Sequence, residues 1–114
     1  NLISELTGHR RLRLVVASDD MRWTQENFST RFGNSPHTLH FFDKNAESSL
    51  LAMSMCDHHI IASSSFSWWA AYLDMRPESI TVAPRQWFLP ERDVKFDTEL
   101  TSWELVYHPS WLVI

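Results

Sequence analysis

Cysteine and glycine are scarce in this sequence, with one cysteine and two glycines among 114 residues. A lone Cys56 excludes an intrachain disulfide, and no group of Cys and His has the spacing of a metal cluster. The same scarcity leaves the redox compartment open. An excess of positive charge is missing as well: the formal net charge is −4, with acidic and basic residues interspersed. A nucleic-acid surface would show a basic face, so that class of partner is not expected. Long apolar runs are also lacking. The longest uncharged stretch, Ile60 to Leu73, carries four serines and falls short of the ~20 residues that cross a bilayer. No segment reads as a signal peptide, and since the chain opens on Asn1 rather than Met, a targeting segment can lie upstream.

What is abundant is aromatic: six Trp and seven Phe within a hydrophobic fraction of 44%. That density favours a large packed core or an aromatic-lined site. The size allows one domain, burying roughly 65% of the surface its unfolded chain would expose. Asn27-Phe28-Ser29 fits a glycosylation sequon, a pattern short enough to arise by chance.

Three short segments read as buried strands, each closed by polar or breaking residues. Leu12 to Ala17 ends at Ser18-Asp19-Asp20, His59 to Ala62 ends at Ser63-Ser64-Ser65, and Ile80 to Ala83 ends at Pro84. Thr38 to Phe42 is a fourth, with a weaker pattern. Helices are predicted between them. Met21 to Phe28 follows an Asp pair that can cap it, Glu47 to Cys56 has Asn45 as a cap, and Ser67 to Met75 is stopped by Pro77. The alternation of strand and helix with short links predicts an α/β fold: a parallel sheet flanked by helices, with the strands at Leu14, Phe41, Ile60 and Val82 as neighbours. Ligands in such sheets sit beyond the carboxyl ends of the strands, so the residues just after each strand are the ones to examine.

Ser63-Ser64-Ser65-Phe66-Ser67 lies between a strand and a helix. Free amides and the helix dipole there favour a phosphate, and hydroxyls add donors. The segment has no glycine, so it is not a Gly-rich phosphate loop. The residues alone also admit a plain helix cap followed by core aromatics. Asp19 and Asp20 likewise read either as a cap or as acceptors for sugar hydroxyls. His58 and His59 point to opposite faces of a strand, cannot share a ligand, and read as structural. Cys56 reads as a small buried hydrophobe. Trp68, Trp69 and Tyr72 have helical spacing that would pack them on the sheet. No catalytic signal is legible in Val106 to Ile114.

As a run of letters, Ser64-Ser65-Phe66-Ser67-Trp68-Trp69-Ala70-Ala71-Tyr72-Leu73 resembles the donor-binding motif of the α-1,2-fucosyltransferases, glycosyltransferase family 11. Val15-Val16-Ala17-Ser18-Asp19-Asp20 with Trp23 resembles that family's strand ending in Ser-Asp-Asp. Leu51 to Cys56 with His59-Ile60-Ile61-Ala62, and then Val82-Ala83-Pro84 with Trp87-Phe88 and Trp103, continue the likeness in collinear order. The resemblance runs from about Leu12 to Trp103.

It implies a Rossmann-like C-terminal domain of a GT-B glycosyltransferase, with residues 1–114 as the donor-binding half and the N-terminal acceptor half of the same enzyme outside it. The implied reaction transfers fucose from GDP-β-L-fucose to the 2-hydroxyl of a galactoside, with inversion and without metal. Such an enzyme is cytoplasmic in a microbe and lies in the Golgi lumen in an animal. Carried onto this chain, Ser63, Ser64, Ser65, Phe66 and Ser67 would bind GDP-fucose, and Asp19 and Asp20 match acidic residues needed in the group. Ser49 stands where many relatives place an aspartate for the guanine, with Glu47 nearby as a substitute, and Ser63 replaces a more usual asparagine. The family's His-x-Arg motif, whose arginine contacts the β-phosphate, belongs well upstream of the Ser-Asp-Asp strand. His9-Arg10-Arg11 sits immediately before that strand and is not taken as the motif, so the chain alone is expected to be inactive. Two alternatives stand beside this reading: a transferase using another nucleotide sugar, and a catalytically inactive α/β module that binds a sugar nucleotide or a protein.

Overall fold

The computed structural model describes residues 2–74, 76–87 and 106–114. Met75, Phe88 and Trp103, which the sequence reading used, lie outside the described residues. The chain divides into two compact units, Asn1–Ala52 and Met53–Ile114.

The first unit opens with a short helix α1 (Leu2–Thr7). It closes on Gly8, whose φ of +74° is a left-handed conformation that glycine adopts without a Cβ penalty. Its N–H donates to the Ser4 carbonyl at 3.0 Å, satisfying one of the helix's terminal acceptors. Strand β1 (Arg13–Val16) and strand β2 (Thr38–Phe41) pair in parallel, Arg13 opposite Thr38 and Val16 opposite Phe41. Parallel neighbours require a crossover, here α2 (Met21–Phe32). That helix begins where the sequence expects, because the Asp20 carboxylate accepts the Trp23 N–H at 3.1 Å. It runs one turn further than predicted, with Phe28 stacked on Phe32 at 5.8 Å. Helix α3 (Ala46–Ser54) is capped by Asn45, whose side-chain oxygen accepts the Ser48 N–H at 2.8 Å.

In the second unit β3 (His59–Ile60), β4 (Thr81–Ala83) and β5 (Leu112–Val113) form a parallel sheet in the order β3-β4-β5. Helix α4 (Ser65–Leu73) is the crossover between β3 and β4. All three residues of β4 are buried, as the central strand of a parallel sheet should be. The core joins Ile61, Ala71, Ala83 and Tyr107, with Trp68, Trp87, Val106, Trp111 and Val113 packed against it. Alanines on α4 let the helix approach closely, and large rings frame the small contact.

The strands are parallel and joined by helices as expected, but they form a two-stranded and a three-stranded ladder instead of one sheet with four neighbours. The tail contributes the strand β5, which the sequence reading did not find. A second difference concerns α4. Trp69 and Tyr72 were expected on the sheet, yet each is about half exposed. At 100° per residue the face carrying Ser67, Ala70 and Ala71 turns inward, which leaves Trp69 and Leu73 outside. Tyr72 instead stacks on the Trp68 ring at 4.9 Å.

Candidate functional site

The chain leaves β3 through Ile61 and Ala62 and turns into α4 over Ser63, Ser64 and Ser65. Three of the four serines here are engaged within the protein. Ser64 is the N-cap, its hydroxyl accepting the Ser67 N–H at 3.3 Å. Ser67 is buried; its hydroxyl accepts from the Ala62 N–H at 3.2 Å and lies 3.1 Å from each of the Ala62 and Ser64 carbonyls, to which it can donate. That hydroxyl ties the end of the strand to the start of the helix. Ser63 donates to the Gln86 carbonyl at 2.6 Å, joining this turn to the segment that follows β4.

Ser65 differs. It is the first helical residue, exposed, and its hydroxyl makes no hydrogen bond among the described residues. The first amides of a helix have no intrahelical acceptor, and those of Ser65 and Phe66 find none elsewhere among the described residues. Two outward amides and one hydroxyl at the positive end of a helix dipole can bind an anionic oxygen. Phe66, also exposed, follows in the same turn. The two readings of this segment are therefore divided between neighbours, with the cap on Ser64 and the open donor on Ser65.

The first unit holds the other predicted residues. Asp20 spends one oxygen on the α2 cap, and its own N–H donates to the Ser18 hydroxyl at 3.1 Å. Asp19 is exposed at the carboxyl end of β1, with no hydrogen bond or ion pair among the described residues. Ser49 is buried on α3, its hydroxyl 3.5 Å from the Lys44 carbonyl, while Glu47 is exposed in the helix's first turn. An open cavity of about 350 Å³ lies on the β1–β2 face, lined by Arg13, Val15, Thr38 and His40 among others; it includes none of the predicted site residues.

One constellation was not anticipated. The His59 and Asp74 side chains, 3% and 2% exposed, meet at 2.6 Å between Nε2 and Oδ2. Arg76 grips the same carboxylate from solvent, with Nε 2.8 Å from Oδ1 and Nη2 2.9 Å from Oδ2. Its other contacts are Asp57 at 3.2 Å and the Cys56 carbonyl. The Arg76 hydrogen bonds hold the Asp74 carboxyl well below the usual carboxylate range, overcoming desolvation, which acts the other way. His58 accepts the Ile80 N–H on Nδ1 at 3.1 Å. Both histidine rings are thus engaged within the protein, on different partners. Burial pushes the half-buried Cys56 thiol up, in keeping with an inert residue. The His59–Asp74 contact sits at the amino end of β3 and the carboxyl end of α4, away from the serine turn. A 15-residue separation gave the sequence no local pattern for it; the only signal was an acid at a helix end followed by Arg-Pro.

Parallel strands joined by crossover helices make this an α/β protein, with donors unpaired among the described residues at a strand's carboxyl end. Comparison with known proteins narrows the class. Residues 2–113 match the family described as Glycosyl transferase family 11, and the chain belongs to that family. It is 33% identical over 93 residues to the O-antigen biosynthesis glycosyltransferase WbnK of Escherichia coli, covering 79% of this chain and 29% of that protein. It is 36% identical over 92 residues to an alpha-1,2-colitosyltransferase of Escherichia coli, covering 81% of this chain and 32% of that protein. The chain therefore spans about a third of the length of these relatives. No solved structure matches it.

Proposed function

We propose that this chain forms the donor-binding part of an inverting α-1,2-glycosyltransferase of GT-B architecture. The donor is GDP-β-L-fucose and the acceptor is the 2-hydroxyl of a galactoside. The observation that carries the reading is the serine turn, where the Ser65 hydroxyl and the Ser65 and Phe66 amides stay unpaired among the described residues while Ser63, Ser64 and Ser67 hold the turn in shape.

In this reading the acceptor oxygen attacks C1 of fucose from the face opposite the diphosphate. The new C1–O bond forms as the C1–O–phosphate bond breaks, GDP departs with the bonding electrons, and the proton of the acceptor hydroxyl is released to water. Donors already aimed at the diphosphate stabilise the charge that develops on it, with no reorganisation at the moment of reaction. Asp19, exposed and unpaired, is suited to accept a hydroxyl of the ribose or the sugar. Asp20 acts first by starting α2. No metal is needed for this division of labour.

Calorimetric titration of the chain with GDP, GDP-fucose and UDP is the test. GDP and GDP-fucose should bind and UDP should bind more weakly; failure of both guanine ligands would sink the reading. Ser65→Ala should weaken GDP by about ten- to a hundredfold, the worth of one hydrogen bond to a charged group. Because the cap belongs to Ser64, the melting temperature of that variant should stay near the original. A change in stability alone would show that the phosphate has been misplaced. A colitosyl donor is the second reading, favoured by the name of one relative. Comparing turnover of GDP-fucose and GDP-colitose in the full-length enzyme separates the two.

A further inference from the structure

We infer that Arg85 supplies the positive charge that meets the donor's diphosphate beside the serine turn. The inference rests on the donor reading above and adds a residue to it. Arg85 follows Pro84 at the carboxyl end of β4, the strand paired with β3, so both strand exits open on the same sheet edge. Every residue of its segment is anchored. The Tyr107 hydroxyl donates to the Pro84 carbonyl at 2.5 Å, the Arg85 N–H donates to the Ile114 carbonyl at 2.8 Å, and the Gln86 carbonyl accepts the Ser63 hydroxyl. The last bond ties the segment directly to the serine turn, one peptide unit (about 3.8 Å between Cα atoms) from Arg85.

The charge inventory singles out the same residue. Among the described residues of the second unit the only Lys or Arg side chains are Arg76 and Arg85. Arg76 is committed to Asp74 and Asp57 at the other end of the sheet. Arg85 is exposed, and its guanidinium makes no hydrogen bond or ion pair among the described residues. The serine turn offers only neutral donors, and a chain of net charge −4 has no general attraction for an anion. A diphosphate there calls for a local cation, and a guanidinium can take two phosphate oxygens at once.

The test uses the 114-residue chain with GDP and guanosine as probes, titrated at low and raised salt. Arg85→Ala should weaken GDP by about tenfold or more, leave guanosine binding and the melting temperature unchanged, and flatten the loss of GDP affinity with salt. Arg85→Lys should recover part of the affinity, since it keeps the charge without the fork. Unchanged GDP affinity in Arg85→Ala would overturn the assignment while leaving the donor site intact. An equal loss for GDP and guanosine would also overturn it, since the arginine would then act on the fold and not on phosphate. Absence of GDP binding by the unsubstituted chain would remove the donor reading itself, and Arg85's role with it.

Discussion

Trp68→Ala should destabilise the protein by about 3–5 kcal/mol, a large share of the ~5–15 kcal/mol that holds a domain of this size folded. The indole is the hinge of the second unit's aromatic packing. It stacks on Tyr72 at 4.9 Å with the rings 9° apart, meets Trp69 edge-on at 5.0 Å and Trp111 at 5.9 Å. Its Nε1 donates to the Val106 carbonyl at 2.8 Å, which fastens the tail segment to α4. Removing the ring opens a cavity and orphans that carbonyl together. Trp68→Phe keeps most of the packing and should lose about 1 kcal/mol for the hydrogen bond. Trp69→Ala, on the outer face, should cost no more than about 1 kcal/mol, the worth of its contact with Trp68. Urea midpoints of the three variants give the order, and a Trp69 effect equal to that of Trp68 would contradict the packing described.

Asp74→Ala should cost about 3 kcal/mol, at the lower end for a broken buried pair because one partner, Arg76, faces solvent. The His59 ring would lose its only hydrogen-bond partner among the described residues, and Arg76 would lose the carboxylate that orients it. The same carboxylate sets an acid dependence. Its folded-state pKa is depressed, so its contribution is complete above the unfolded value of about 4 and declines as pH falls below that toward the folded value. Asp74→Asn should therefore be less stable at neutral pH and lose less stability than the parent below about pH 4. Asp57→Ala should leave the melting temperature unchanged, because that carboxylate is 87% exposed. Thermal melts across pH 2–7 test both statements, and parallel curves for Asp74→Asn and the parent would refute the linkage.

Local signals were the ones legible in the sequence. Asp20 and Asn45 cap the helices expected of them, because a short acceptor just before an apolar period acts on amides three residues away. The serine turn was legible for the same reason, and so were the two crossover helices α2 and α4, since β-branched runs alternating with helical periods leave few other arrangements. Positions that depend on partners far along the chain were not. Leu112-Val113 became a strand only because β4 offers an edge to it, with Arg85 and Ile114 closing the ladder. Trp69 and Trp68 are adjacent, identical in type and part of one motif, yet one frames the core and the other faces outward, a distinction set by where α4 meets the sheet.

The sequence by itself determined the family, the parallel α/β character and the stretch of serines that faces the strand ends, because each is written in neighbouring letters or in a period of two or about four. The tertiary structure decided which of those serines is open. Packing α4 against β3 takes the Ser67 hydroxyl inward, capping takes Ser64, the approach of Gln86 takes Ser63, and Ser65 is left with its donor unspent. It also decided the fate of the charged side chains, committing Arg76 to a buried carboxylate and leaving Arg85 at the strand edge. Two of those outcomes join residues 23 and 19 positions apart, Ser63 with Gln86 and Arg76 with Asp57, contacts that the chain's order does not encode until the sheet has formed.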